Sequence, residues 1–299
     1  MLKKIFNSLL KFRILIQSIL FFVINSDFSI IFKSIINRKA FISQTKLKTI
    51  CVPGLNCYSC PSAIFSCPIG ALQFWFNDIT QKLIFKQKIN LIGLYIIGFI
   101  SSIGIIGGRI CCGFICPFGL IQDLINKITK KNLNIPKFFR LFKYIILIIF
   151  VIILPLFIFD ITKISPYFCK LLCPAGTMFA GIPLLSIDKN LREMISFLTF
   201  FKFSILLLFI ILMLLSKRAF CKIMCPLGAI WGLLNKISIF KLYFDKNKCI
   251  NCKKCENSCS MNIEITKNIS SPECIRCFEC IKVCPTNSIK INNSINKNE

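Results

Sequence analysis

Histidine is missing altogether from these 299 residues. Its absence excludes histidine-ligated haem, Rieske-type centres and the usual catalytic zinc sites, all of which need an imidazole. It also removes the commonest acid–base catalyst. Carboxylates are scarce: 12 Asp and Glu stand against 38 Lys and Arg, a formal charge of +26. The lone carboxylates Asp123, Asp160 and Asp188 fall near the ends of apolar runs and read as helix caps or interfacial groups. No glycine-rich phosphate loop follows a strand-like segment. A soluble chain this basic would suggest nucleic acid. Here 55% of residues are hydrophobic and the mean hydropathy is +0.72, so the basic residues beside apolar runs read as anchors facing anionic lipid.

Four apolar runs approach the length needed to cross a bilayer: Ile14 to Phe32, Ile89 to Ile106, Tyr144 to Phe159 and Ile195 to Leu215. The first is interrupted by Asn25, Ser26 and Asp27, and the third carries Pro155. The N-terminal MLKKIFNSLLKFR has no small-residue cleavage site and reads as a retained anchor. Basic residues follow runs two and four, which predicts four spans with both termini in the cytoplasm. The expected fold is mainly α: a membrane helical bundle over 1–242, then a small α+β domain over 243–291, then a disordered tail over 292–299.

Cysteine is abundant, with 19 residues. The chain is not a small secreted scaffold, so metal ligation suits these cysteines better than disulfides. After Leu242 come Cys249-x2-Cys252-x2-Cys255-x3-Cys259 and Cys274-x2-Cys277-x2-Cys280-x3-Cys284-Pro285. This is the two-cluster bacterial ferredoxin spacing, in which three thiolates of one run and the fourth of the other hold one cubane. Cys249, Cys252, Cys255 and Cys284 therefore form the first predicted ligand set. Cys274, Cys277, Cys280 and Cys259 form the second. Two zinc knuckles are the competing reading, but zinc sites use paired cysteines rather than runs of four.

Cys-Pro-x-Gly recurs four times before that, at Cys67, Cys116, Cys173 and Cys225. Three copies have a partner four residues earlier: Cys112, Cys169 and Cys221. The first copy has Cys57 and Cys60 instead. Copies two and four share the pattern R-x-x-C-x-x-x-C-P-x-G-x-I-x-x-L-x-N-K-I from Arg109 and Arg218. The membrane part thus reads as a tandem repeat, with halves of about 13–128 and 141–237. Cys112, Cys116, Cys221 and Cys225 supply the four thiolates of one further cluster. On the opposite face Cys169 and Cys173 join two of Cys57, Cys60 and Cys67. Buried small apolar residues and redox-active disulfides are the competing readings; the former suits Cys51 and Cys111, which lie outside the repeat.

Spans, C-x3-C-P motifs and a C-terminal two-cluster ferredoxin resemble the membrane polyferredoxins of the NapH type, whose module also occurs in NosR and CcoG proteins. The stretch CVPGLNCYSCPSAIFSCPIGALQ is similar to a subgroup of 4Fe–4S binding membrane proteins of anaerobes. The resemblance implies electron transfer between a cytoplasmic donor (ferredoxin or quinol) and a membrane or extracytoplasmic partner, with the ferredoxin domain in the cytoplasm. The expected cofactors are two [4Fe–4S] clusters in the tail and one or two more in the membrane domain, without haem. Expected partners are membrane lipid and a redox protein: ferredoxin, flavoprotein or quinone-linked enzyme. The alternatives are a CcoG-type reductase of metal or small oxidants, or a redox-sensing or assembly factor; a carrier component is favoured over a stand-alone enzyme. Clusters on opposite faces of a core about 30 Å thick would sit too far apart for one hop unless the motifs dip inward or another cofactor intervenes.

Overall fold

The computed structural model describes residues 12–88, 91–129, 131–157 and 166–293. Most of the N-terminal segment, Phe159, Asp160 and residues 294–299 lie outside them. The first apolar run forms two helices, α1 (Arg13–Ile24) and α2 (Phe28–Asn37), bent by 55° at the polar break. Asp27 fixes that break by accepting hydrogen bonds from Ser29 (2.7 Å) and Ser43 (2.6 Å). Helix α3 (Pro68–Ile84) follows the first Cys-Pro motif. Run two becomes α4 (Ile92–Gly107), 16 residues ended by Gly108 at φ 57°. At 1.5 Å per residue that is about 24 Å, short of the hydrocarbon thickness.

Helix α5 (Pro117–Thr129) follows the second motif. Run three lies in α6 (Lys137–Phe157, 21 residues) and run four in α8 (Phe197–Leu215, 19 residues), with the shorter α7 (Pro174–Ile187) between them. Pro155 and Pro183 have no N–H to donate to the carbonyls of Val151 and Phe179. Both carbonyls lie in π-helical turns, Leu147–Ile153 and Thr177–Gly181, the form that accommodates such a break. The chain is mostly helical, and α6 and α8 are long and apolar enough to span a membrane, with a third span if the bent α1–α2 pair counts as one.

Helix α9 (Pro226–Leu234) follows the fourth motif. Strand β1 (Phe240–Phe244) then pairs antiparallel with β2 (Ile289–Asn293), in register from Phe240–Asn293 to Phe244–Ile289. The sheet clasps the start and end of the cysteine-rich tail. It takes up Leu242 on one side, and Asn292 and Asn293 on the other, so regular structure crosses both expected boundaries of that unit.

Helices α5 and α8 are fastened by Asn126, whose Nδ2 donates to the carbonyls of Met213 (2.9 Å) and Lys131 (2.8 Å). Trp231 of α9 donates through Nε1 to the Ile100 carbonyl of α4 (3.0 Å). The two regions share a core running from Leu55 and Phe118 through Phe220 and Trp231 to Met261 and Ile275.

Candidate metal centres

The same local device stands at each Cys-Pro-x-Gly motif. Proline opens a helix at its first position, where its missing N–H costs nothing. Cys67, Cys173 and Cys225 sit at the N-caps with extended backbone. The glycine N–H three residues on donates to the cysteine sulfur: Gly228 to Cys225 (3.2 Å) and Gly176 to Cys173 (3.4 Å), with Gly70 on Cys67 and Gly119 on Cys116 alike. A helix N-terminus that donates to sulfur favours a thiolate over a thiol.

Cys112, Cys116, Cys221 and Cys225 converge in one buried group, each within electrostatic range of the others. Two arginines cross between the halves to hold it. Arg109 donates to the Cys221 carbonyl (3.3 Å), and Arg218 donates to the Cys112 carbonyl. Gln122 donates to the Cys221 sulfur at 3.1 Å.

Cys169 and Cys173 gather with Cys57 and Cys67. A Cβ added at Gly176 would lie 3.7 Å from the Cys57 sulfur, and one added at Gly70 would lie 3.9 Å from that of Cys169. Gln73 donates to Cys169 (3.6 Å) as Gln122 does to Cys221, each six residues after the cysteine of its motif. Cys60 lies beside Cys57 with its sulfur 3.5 Å from the Ser62 hydroxyl, and is not among the neighbours of Cys169 and Cys173. Cys51 is buried against Ser66 (3.6 Å), and Cys111 is buried beside Cys112.

In the tail, Cys280 faces Cys277, Cys274 and Cys259, while Cys255 faces Cys284. The two runs therefore exchange their fourth cysteines in space. A small apolar pocket lies beside Cys259, Cys274, Cys277 and Cys280, lined also by Met261 and Ile275. The loop backbone carries a stronger signal. Asn251 and Arg276, Lys253 and Phe278, and Asn262 and Asn287 all have φ between 49° and 58°, at corresponding positions of the two runs. A left-handed residue without glycine costs of order 1–3 kcal/mol. Alternating it with right-handed residues turns successive N–H groups inward, a nest for an anionic group such as an iron–sulfur cluster.

The tail is seated on the membrane part at the Cys112 group. Asn235 donates to the Cys274 carbonyl (2.8 Å), Asn132 to that of Cys259 (3.2 Å), and Lys222 to Asn262 (2.8 Å). A Cβ at Gly113, next to Cys112, would meet the Ile275 carbonyl at 2.9 Å and the Cys277 Cα at 3.6 Å. Only glycine allows that approach.

The two membrane groups are also close. Leu55 N–H donates to the Cys116 sulfur (3.4 Å), and the next N–H, of Asn56, donates to Cys67. Neighbouring backbone nitrogens are under about 4 Å apart, so these two sulfurs lie within roughly 11 Å. That is closer than a hydrocarbon core about 30 Å thick, as motifs that dip inward would be.

All 19 cysteines are free thiols. Among the described residues no three Cys, Asp or Glu side chains meet as tightly as one metal ion requires. A zinc knuckle needs sulfurs about 2.3 Å from a common point, whereas a cubane spreads four thiolates around its corners. Cysteine groups that carry N–H donors on their sulfurs fit [4Fe–4S] clusters.

Of the lone carboxylates, Asp188 caps the turn at Lys189–Glu193 by accepting from Asn190 N–H (2.9 Å). Asp123 differs from expectation: it is a buried ion-pair partner of Arg218 (2.7 Å) and Arg13 (3.3 Å). Sequence reasoning also missed the roles of Gln73, Gln122 and Glu273. A glutamine six residues after the cysteine in both of the first two motifs was the available signal.

Acidity sets one tail ligand apart, Cys284, whereas burial raises Cys255 of the same set. Burial pushes the Cys274 thiol up to about 12, and Cys259 and Cys280 rise for the same reason. At Cys284 burial also opposes ionisation, but hydrogen bonds from Ser288 and Thr286 outweigh it and bring the thiol down to about 7. Iron binds the thiolate, so every protonated ligand must release a proton on loading. Refilling of the Cys274 set in apoprotein should therefore fall more steeply than that of the Cys284 set between about pH 9 and about pH 6. Anaerobic reconstitution followed by EPR checks this; equal pH profiles would contradict it.

The 4Fe-4S binding domain family matches at residues 65–91, 89–136, 142–189 and 198–244, together more than half of the chain. The 4Fe-4S dicluster domain family matches at 241–285. An uncharacterized protein of Methanocaldococcus jannaschii, MJ0750, is 32% identical over 74% of this chain and 87% of its own length. The putative electron transport protein YccM of Escherichia coli is 27% identical over 59% of this chain and 49% of its own. The ferredoxin-type protein NapH of Haemophilus influenzae is 24% identical over 66% of each. No solved structure matches the chain.

Proposed function

The chain belongs to the 4Fe-4S binding domain family, and from that premise we propose that it is a membrane-bound electron relay with four clusters in a row. That it is an iron–sulfur electron transport protein with [4Fe–4S] clusters follows from its domains and relatives. The number, ligands and order of the clusters are our reading. Cys249, Cys252, Cys255 and Cys284 hold the first; Cys274, Cys277, Cys280 and Cys259 the second; Cys112, Cys116, Cys221 and Cys225 the third; Cys57, Cys67, Cys169 and Cys173 the fourth. Each cluster supplies a one-electron carrier.

The observation that carries this reading is contact between successive ligand sets. Gly113 abuts Ile275 and Cys277, and the Leu55 and Asn56 N–H groups reach Cys116 and Cys67. The residues between hold the sets at fixed spacing and keep water out. The exchanged contacts of Arg109 and Arg218, and of Gln73 and Gln122, support two duplicated halves. We take the α1–α2 pair, α4, α6 and α8 as four crossings. Leu94, Ile97 and Ile106 of α4 stay exposed, which suits a lipid-facing helix. The basic segments support a cytoplasmic tail.

The first ligand set is the accessible end, since Cys252 is exposed. Lys246, Lys248, Lys253 and Lys254 are exposed around it. That collar suits an acidic redox protein. In lipid nanodiscs, reduction by an acidic one-electron carrier should slow at least about tenfold on Lys246→Glu plus Lys254→Glu at low salt. The difference should vanish at high salt, with iron content unchanged. A rate indifferent to both charge reversal and salt would reject this entry point.

A further inference from the structure

One short segment touches both membrane ligand sets. Gly54 lies against the third: a Cβ there would stand 2.9 Å from the Cys116 Cα and 3.2 Å from Pro117 Cδ. Leu55 (3% exposed) and Asn56 (1%) are buried, and their successive N–H groups part, one to Cys116 and one to Cys67. The next residue, Cys57, belongs to the fourth set. Both flanks are pinned. Val52 N–H donates to the Ser66 carbonyl (3.0 Å) and Ser66 N–H to that of Ile50 (3.1 Å), while Asn56 Nδ2 donates to the Phe65 carbonyl (3.5 Å).

We propose that Gly54–Asn56 is a shared strut that fixes the spacing of the third and fourth sites and sets their reduction potentials together. This rests on the ligand assignment above. An N–H donated to a ligand sulfur favours the more negative, reduced form of a cluster and raises its potential. One peptide segment supplies that donor to both sites. It cannot move away from Cys116 without dragging Asn56 and Cys57 with it.

The test uses the full-length protein, purified anaerobically, with iron analysis and EPR-monitored redox titration. Cys221→Ser and Cys169→Ser backgrounds tell the two membrane signals apart. Leu55→Pro deletes the N–H to Cys116, and Gly54→Ala pushes the segment off it. Gly98→Ala, where nothing lies within 4 Å of the new Cβ, is the control. The expected result is a negative shift of the Cys116 site in Leu55→Pro, accompanied by a smaller shift of the Cys67 site. Gly54→Ala should shift both, and Gly98→Ala neither. A shift confined to one site, or none in either variant, overturns the proposal.

If both variants also lose the tail signals and so fail to fold, the unsubstituted protein decides. Sites whose facing sulfurs lie within roughly 11 Å should show a spin–spin splitting when reduced that disappears in Cys169→Ser; its absence overturns the strut. About eight irons in the unsubstituted protein would instead remove the ligand assignment beneath it, a separate failure visible in the same samples.

Discussion

Serine at both Cys112 and Cys221 is expected to remove about four irons per chain and one cluster's EPR signal while sparing the tail pair. The two residues come from different halves and meet only in the folded protein, so each alone is half of a cross-repeat pair. Serine keeps the volume and the backbone. The hydrogen bonds by which Arg109 and Arg218 cross between the halves go to the Cys221 and Cys112 carbonyls, so the halves stay joined. What is lost is two thiolates to iron. The same logic separates Cys57 from Cys60. Cys57→Ser should cost the fourth cluster, and Cys60→Ser, facing Ser62, should leave iron content intact. An unchanged spectrum in the double variant would sink the pairing of motifs two and four.

Glu273→Gln should destabilise the protein by about 3–5 kcal/mol, because it strands two buried cations. Arg109 and Lys143 both have side chains 0% exposed, and both pair with Glu273, Arg109 at 3.2 Å. Burial pushes the Glu273 carboxyl up, but Arg109 and Lys143 pull it below the usual carboxylate range, so it is ionised at neutral pH. Its contribution is present above the ordinary glutamate value and is lost as acid protonates it. Glu273 belongs to the tail, and its two partners belong to the membrane part. Glutamine keeps the shape and removes the charge. Thermal melts and limited proteolysis should show earlier unfolding and release of the tail. Unchanged melting would mean that the ligand sulfurs beside Arg109, not Glu273, balance its charge.

In the tail, ligand spacing alone points to an exchange of Cys259 and Cys284, and Cys280 lies near Cys259 and Cys255 near Cys284. The convergence of Cys112, Cys116, Cys221 and Cys225 was legible because Arg109 and Arg218 mark equivalent stretches. Other features depend on contacts between distant residues, which local pattern does not encode. Cys57 and Cys60 are equivalent as a C-x-x-C pair; only packing against Gly176 distinguishes them. Loop charge placed the membrane motifs on opposite faces, whereas Gly54 and Leu55 fold back onto Cys116 and bring them together. Asp123 looked like a cap because its partners, Arg13 and Arg218, lie on other helices.

In the proposed relay, cysteines from both regions hold four cubanes. Metal analysis of anaerobically purified full-length protein, counted per chain, tests it most directly. The account predicts about sixteen irons and no zinc. About eight irons would leave the membrane cysteines without clusters, and stoichiometric zinc in place of iron would contradict the account throughout.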